Sequence, residues 1–366
     1  MPDYMSGAPD KVEAKNENEI SLLINDKLFK YWNDITIIRS FDTVADQFSL
    51  SCPFYPNNKT MKELFRPFMY NECVIYVGED KVLSGTMMKV IPKSTANSQT
   101  VTIEGYSLPG VLADCQAAVS SWPLSIIGLN LKQIAEKLAE PYGIIVTFDG
   151  DPGAKFTAND RIEIETDEKI YELLTRLARE RGFVISSMPD GEMYFRKTVN
   201  ERATVRINSG EPPYLNSSAE YNGQERYSDI IILKAGHRGG VGGKYTIKDA
   251  ELTANGIFRQ LVDNADDTEK GNLKTAAIWR LGRMLAEAIP ISLSCIGWRR
   301  PDNNKLWQDG QKLIFYSPGD MIYEPTELLI REVKLNKKNN EITSDFTLVL
   351  PESYSGEERK EFPWAS

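Results

Sequence analysis

The chain has 366 residues, 41% hydrophobic and 26% charged, with a formal net charge of −9. That length allows two or three domains of ordinary globular composition. The acidic excess argues against sequence-independent binding to phosphate backbones, and no apolar run approaches the roughly 18 residues of a membrane span.

Met1 to Glu19 are polar and acidic and lack the apolar stretch of a signal peptide, so the sequence predicts a mobile tail on a protein made and folded in a cytoplasm. From Ile20 the pattern is that of strands. Ile35 to Arg39, Phe48 to Cys52 and Val101 to Gly105 alternate, Gly78 to Lys81 supplies a hairpin turn, and this β-region closes near Gly110. A helix follows, with Leu131, Ile134, Ala135, Leu138 and Ala139 on one stripe, Asn130 and Gln133 as a capping pair and Pro141 as its stop. A β-run at Gly143 to Phe148 completes the cassette. It returns as Ile170, Leu173, Leu174, Leu177 and Ala178, ended by Gly182, then Phe183 to Ser186, a Pro189 to Gly191 turn and Met193 to Arg196. Two small helix-plus-sheet modules are therefore expected over 111–203. The chain then reads as irregular until a buried strand at Asp229 to Leu233 and a glycine-rich loop at Gly236 to Lys244. Asp263 to Gly271 reads as loop. A long helix is predicted from about Lys270 to Ile289, with Leu273, Ala277, Leu281, Met284, Leu285 and Ala288 on one face and Pro290 as its stop. A second meander fills Ile291 to Leu350, and Pro351 to Ser366 is a polar tail in which Trp364 is exposed as a docking peptide.

The two meanders carry similar parts in the same order. Ser49-Leu50-Ser51-Cys52 recurs as Ser292-Leu293-Ser294-Cys295. Each copy leads through a polar loop to an apolar run, Val74 to Val77 or Leu313 to Tyr316, then a turn and a closing strand. Those strands, Leu83 to Val90 and Leu328 to Leu335, end in Met88-Lys89-Val90 and Val333-Lys334-Leu335. The expected fold class is α+β and β-rich, with two similar barrel-like antiparallel β domains and inserted helix-plus-sheet modules.

Chemistry is hard to find. A single histidine, His237, argues against zinc catalysis and histidine triads. Cys52, Cys73, Cys115 and Cys295 lack C-x-x-C spacing and read mainly as buried thiols. Gly239 to Lys244 fails as a phosphate loop because Arg238 stands where the first glycine belongs and Tyr245 follows the lysine. The acids Asp149, Asp151, Asp160, Glu163, Glu165, Asp167 and Glu168 read as a turn, an exposed strand and a helix start rather than a glycosidase pair. Asp263 to Asp267 lacks the alternation of a calcium loop. Arg299-Arg300 and Lys337-Lys338 read as solvated loop tips. Trp32, Trp122, Trp279, Trp298 and Trp307 read as core or interface anchors. No catalytic, metal or cofactor residue is nominated, and no cofactor is expected.

The order of parts resembles the baseplate hub of Mu-like contractile phages, the tail protein D family, and more remotely the hub portion of type VI secretion spike proteins. The resemblance covers about Ile20 to Pro351. It is carried by Ile35 to Phe41 with Phe48-Ser49-Leu50, Val82 to Gly85, Val101 to Tyr106 with Leu112 to Cys115, Leu131 to Leu138 with Tyr142-Gly143-Ile144, Leu173 to Gly182, Ala276 to Arg280 and Leu328 to Val333. It implies a homotrimeric ring in which each chain gives two tube domains, 20–110 and 204–236 plus 291–351, with 237–290 as a loop-and-helix insert. That ring has pseudo-sixfold symmetry and joins a hexameric tail tube protein to a trimeric central spike protein. Other baseplate proteins and the tape measure are further partners. The resemblance also implies a place in the virion tail baseplate, assembled in the host cytoplasm, with no membrane insertion. DNA passes through the channel without specific binding, and a negative lumen would keep it from sticking. A tail-associated cell-wall hydrolase and a host-glycan-binding adaptor are the competing readings.

Overall fold

A computed structural model of the chain describes residues 5–7, 16–25, 27–30, 32–122, 124–157, 165–179, 181–197, 201–235, 241–265, 273–338, 341–357 and 362–364. Period-two alternation organises the first part into β1 (Met5–Gly7), β2 (Ile20–Ile24), β3 (Lys27–Phe29), β4 (Asp34–Ser40) and β5 (Gln47–Pro53). A short helix α1 (Lys59–Leu64) precedes β6 (Glu72–Val77), β7 (Asp80–Ser94) and β8 (Gln99–Ser107). Ile35, Ile37, Phe48, Leu50 and Cys52 point into the core, as alternate side chains of a half-buried strand must. Gly78 turns β6 into β7 at φ +63°, where a side chain would strike the Glu17 carbonyl. Part of the expected tail is a strand instead, because Met5–Gly7 runs antiparallel beside β3.

The next layer contains α2 (Val111–Asp114), α3 (Leu131–Ala139), β9 (Val146–Phe148), α4 (Ile170–Arg179), β10 (Val184–Ser187) and β11 (Met193–Arg196). The predicted capping box closes α3: the Gln133 N–H donates to the Asn130 side chain at 2.9 Å, and the Asn130 N–H donates to the Gln133 side chain at 3.0 Å. The two cassettes do not stay separate. β9 lies parallel to β11, β10 antiparallel to it, and both leucine stripes enter one core. Strands this short cannot bury an apolar face alone, so the halves complete one another.

β12 (Val205–Asn208) and β13 (Tyr214–Ala219) form where irregular chain was expected. They are followed by β14 (Asp229–Ala235), β15 (Val241–Lys248), α5 (Ala250–Ala254), β16 (Gln260–Asn264) and α6 (Leu273–Ala288). β14, expected in the second barrel, is the middle strand of a separate sheet ordered β15-β14-β16. The reason lies in its side chains: Ile230, Ile231 and Ile232 are all buried, so the strand needs cover on both faces. α6 packs against β14 and β15 and supplies part of it, burying Ala277, Leu281, Met284, Leu285 and Ala288. The chain closes with β17 (Ile291–Ile296), β18 (Lys312–Ser317), β19 (Ile322–Lys338), β20 (Glu341–Val349) and α7 (Glu352–Ser355).

Two paths through the large sheet coincide strand for strand. The first runs β2-β6-β7-β8-β5-β4, the second β12-β18-β19-β20-β17-β13. The repeated tetrapeptide sits in β5 and β17, at the same place in each path. Ser49 faces Glu104 in β8, and Ser292 faces Thr347 in β20. Each long hairpin carries a bulge, at Met88 between β7 and β8 and at Arg331 between β19 and β20. Both bulged residues fall 39 positions beyond the serine of the motif (88 − 49 and 331 − 292). The counterpart of Met88-Lys89-Val90 is therefore Arg331-Glu332-Val333, two residues before the triplet matched by sequence. One difference stands: β2 meets β6 antiparallel, whereas β12 meets β18 parallel.

Two surface expectations are also corrected. Arg299 is not a solvated tip; it donates to Asp80 at 3.1 Å and to the Asn304 carbonyl at 3.0 Å, tying the second copy to the first hairpin turn. Trp364 is partly buried, packed edge-on against Tyr221 and stacked on Phe362, with its indole N–H on Glu251 at 3.1 Å.

Candidate assembly interface

β4 pairs antiparallel with β19, from Ile35 opposite Lys337 to Ser40 opposite Glu332, and so fuses the two copies into one fourteen-stranded sheet. The Phe41 N–H extends the ladder to the Arg331 carbonyl at 2.7 Å. On one face Ile35, Ile37, Val333 and Leu335 are buried together. On the other, Thr36 donates to Asn336 at 3.2 Å and Ser40 to Glu332 at 3.3 Å. The Trp298 indole N–H closes the far end on the Asn336 and Thr343 carbonyls, at 2.9 and 3.0 Å.

Two ionic knots hold this joint to the rest of the chain. Asp42, just past β4, takes Arg283 of α6 at 3.1 Å, Arg331 of the bulge at 3.2 Å and the Tyr354 hydroxyl of α7 at 2.7 Å. Burial alone would raise this carboxyl, but Arg331, Arg283 and Tyr354 outweigh it and the pKa is lowered. Burial, and then Asp42, push the Tyr354 phenol up. In the second knot Arg39 bridges Asp46 at 3.4 Å and Asp309 at 3.2 Å, and Arg196 of β11 also holds Asp309. Burial lifts the Asp46 carboxyl to about 7 despite Arg39, and Asp309 adds to the rise. Asp309, opposed by burial as well, is held low by Arg196 and Arg39. The Arg196 guanidinium also lies 4.1 Å over the Phe41 ring and donates to the Phe41 carbonyl at 3.1 Å. No single residue of these knots was singled out from the sequence. Arg39 gives the one available hint: it occupies a core-parity position of an alternating strand, where a charge needs a buried partner.

The polar face of the fused sheet is a wall of small hydroxyl and amide side chains. Register places Ser218, Ser292, Thr347, Glu332 and Ser40 in one row, and Thr343, Asn336, Thr36, Ser49, Glu104 and Lys89 in another. It also carries charges of both signs. Lys89 meets Glu104 at 3.4 Å, and Asp345 accepts from Ser294 and Asn336, each at 2.6 Å. Asp34, Glu104, Glu332 and Asp345 share the face with Lys89, Lys93 and Lys334.

Among the described residues, the acids named above lie at the surface or in local pairs. Asp149 and Asp151 sit on an exposed turn, with the Gly153 N–H on Asp151 at 2.9 Å, and Glu165 is exposed. Asp160 and Glu163 lie outside the described residues, as do His237, Arg238, Gly239 and Gly240. Glu168 pairs with Arg176 at 3.0 Å. Val241 to Lys244 belong to β15 rather than to a loop. Among the described residues, no group of three or more His, Cys, Asp or Glu is placed to hold a metal ion, and no helix is long and apolar enough to cross a membrane.

Family models match two stretches of the chain. Residues 19–107 match the N-terminal domain of the Mu phage baseplate assembly protein GpP-like family, and residues 109–197 the second domain of the gp44-like baseplate hub family. The fold and these matches define a virion structural protein, the baseplate hub of a phage tail. Its sequence is 26% identical over 331 residues to baseplate hub protein gp44 of Escherichia phage Mu, spanning 87% of this chain and 84% of that one. The fold is also that of the 43 kDa tail protein of prophage MuSo2 from Shewanella oneidensis, with a TM-score of 0.77 at 24% identity over 92% of this chain and 99% of the other. An Escherichia coli type VI secretion component, c3393, is similar with a TM-score of 0.54 at 10% identity, over 90% of this chain and 76% of its own.

Proposed function

We propose that three copies close into a ring that joins a sixfold tail tube to a threefold central spike in a contractile tail. The observation that carries it is the coincidence of two six-strand paths with their bulges at the same offset. One chain thereby offers two equivalent units, and three chains offer six. In this reading 20–110 is the first tube domain and 111–203 the outer helix-and-sheet layer. The second tube domain is 204–222 with 291–351, its first segment drawn back from 236 because β14 leaves the barrel. The rest up to Pro290 is an insert. The hydroxyl-rich face lines the channel. With acids and lysines side by side it is nearly neutral rather than negative, so passing DNA meets neither a strong attraction nor a strong barrier. The role is structural and non-enzymatic, in keeping with relatives named as baseplate hub proteins. Tube, spike, neighbouring baseplate proteins and the tape measure are the partners, and assembly takes place in the host cytoplasm.

Cryo-electron microscopy of the full chain at high concentration tests this. A trimeric annulus with six similar lobes is expected. A hexamer of whole chains, or a trimer whose two copies lie at different radii, overturns it.

A further inference from the structure

Each copy of the sheet has a place where a strand joins its neighbour, and among the described residues only one of the two joints is filled within the chain. In the filled one, β4 lies against the segment of β19 just past the Arg331 bulge, residues 332–337. The equivalent segment of the first copy is Lys89–Ser94 of β7, just past the Met88 bulge, and the equivalent of β4 is β13. Among the described residues, β7 beyond Met87 pairs only with β8, and β13 only with β17. We propose that β13 of one chain docks antiparallel on Lys89–Ser94 of a second copy, repeating between chains the joint that β4 and β19 make within one. This rests on the ring proposed above and deepens it by naming the strands and register of its subunit contact.

The register follows from the internal joint. Ile37 faces Leu335, and their counterparts are Ala219 and Pro92. The pairs between chains are then Ser217 with Ser94, Ala219 with Pro92, and Tyr221 with Val90, with Ile91 opposite Glu220 and Lys93 opposite Ser218. Backbone parity agrees at both edges. The Thr95 N–H to Ser98 carbonyl bond (2.8 Å) turns Lys93, Ile91 and Lys89 towards β8, leaving the groups of Ser94, Pro92 and Val90 outward. The Glu220 N–H to Pro290 carbonyl bond (3.0 Å) likewise leaves Ser217, Ala219 and Tyr221 outward. Burial agrees as well. Val333 and Leu335 are 0% and 1% exposed in the filled joint, while their counterparts Val90 and Pro92 are half-buried and exposed, and neighbouring Ile91 is 45% exposed. Pro92 withholds one donor, so this joint is one hydrogen bond short of the internal one. A proline at a free strand edge also discourages indiscriminate pairing before assembly.

Disulfide trapping reads the register directly. Ile91 and Glu220 are a non-hydrogen-bonded pair, whose Cα separation of about 4.5 Å suits a disulfide. The full chain carrying Cys115→Ser, Ile91→Cys and Glu220→Cys is oxidised in air with copper–phenanthroline and run on non-reducing gels. Dimer and trimer bands that stop at trimer are expected, at several times the yield of a control with Ile91→Cys and Ala219→Cys, where the side chains point to opposite faces. Lys93→Cys with Ser218→Cys should cross-link as well, which guards against one pair misfolding. No cross-link in either register pair, or equal yield in the control, overturns the strand joint; if microscopy still shows a trimer, the ring stands without it. A register-specific ladder running past trimer keeps the joint and overturns the closed ring.

Discussion

Asp42→Asn removes the negative centre of a knot that ties the β4–β19 joint to α6 and α7. The carboxylate is 9% exposed and takes two guanidiniums and a phenol. Breaking a fully buried pair costs about 3–5 kcal/mol. Here Arg283 and Arg331 keep 27% and 31% of their side-chain surface, so water recovers part of that. A loss of about 2–3 kcal/mol at pH 7 is expected, from the lost charge facing the two guanidiniums. The pH dependence carries the sharper signature. The folded pKa of Asp42 is lowered, so its contribution is complete above the unfolded value of about 3.9 and fades as pH falls through the folded pKa. Urea midpoints followed by tryptophan fluorescence should differ between parent and variant at pH 7 and 5 and converge below pH 4. A gap that persists undiminished at pH 3, or one under about 0.5 kcal/mol at pH 7, would refute the ionic account of this knot.

Gly105→Ala should cost about 3 kcal/mol in the same assay, because a Cβ there meets the Thr86 carbonyl at 2.1 Å and the Phe48 ring at 2.6 Å. Gly319→Ala, with nothing within 4 Å, should stay within about 0.5 kcal/mol, and equal losses at both sites would defeat the steric explanation. Burial pushes the Cys52, Cys73 and Cys295 thiols up to about 12, whereas Cys115 is partly exposed. Iodoacetamide at pH 8 should therefore add one label per native chain, at Cys115, and four after denaturation; mass spectrometry showing two or more on the folded protein contradicts that burial.

Features set by local rules were legible in the sequence. The Asn130–Gln133 box, the stop at Pro141 and the leucine stripes of α3 and α4 depend on neighbours a few residues away, and they stand where period and capping put them. Alternation likewise exposed β4, β5 and β20. Pairing was less legible, because nothing local says that β9 meets β11 or that β14 joins β15 and β16 rather than the large sheet. The ionic knots were hidden for the same reason. Arg39 is an unremarked charge until Asp309 arrives from the far end of the chain. The repeated Ser-Leu-Ser-Cys did mark equivalent strands, yet matching the closing triplets by composition slid them two residues. The bulge of each copy, at the same distance from its serine, fixes the true alignment once the register is known.

The two bulged residues show how a duplicated unit can serve unequal joints. Arg331 and Met88 occupy the same geometric place, one beside a joint made within the chain and the other beside the edge proposed to receive a second copy. An internal joint forms once, during folding, and can hold a partly buried guanidinium whose partner Asp42 arrives on the same polypeptide. An edge awaiting another subunit must remain soluble until it is met, and an unpaired buried charge there would oppose docking. Met88, half-buried and flexible, carries no such penalty and can adapt to whatever packs on it. The same logic accounts for the connections. Six residues join β4 to β5, whereas β13 reaches β17 only after the whole β14 to α6 layer. That layer sends Arg283 to Asp42, so the insertion in the second copy locks the joint of the first.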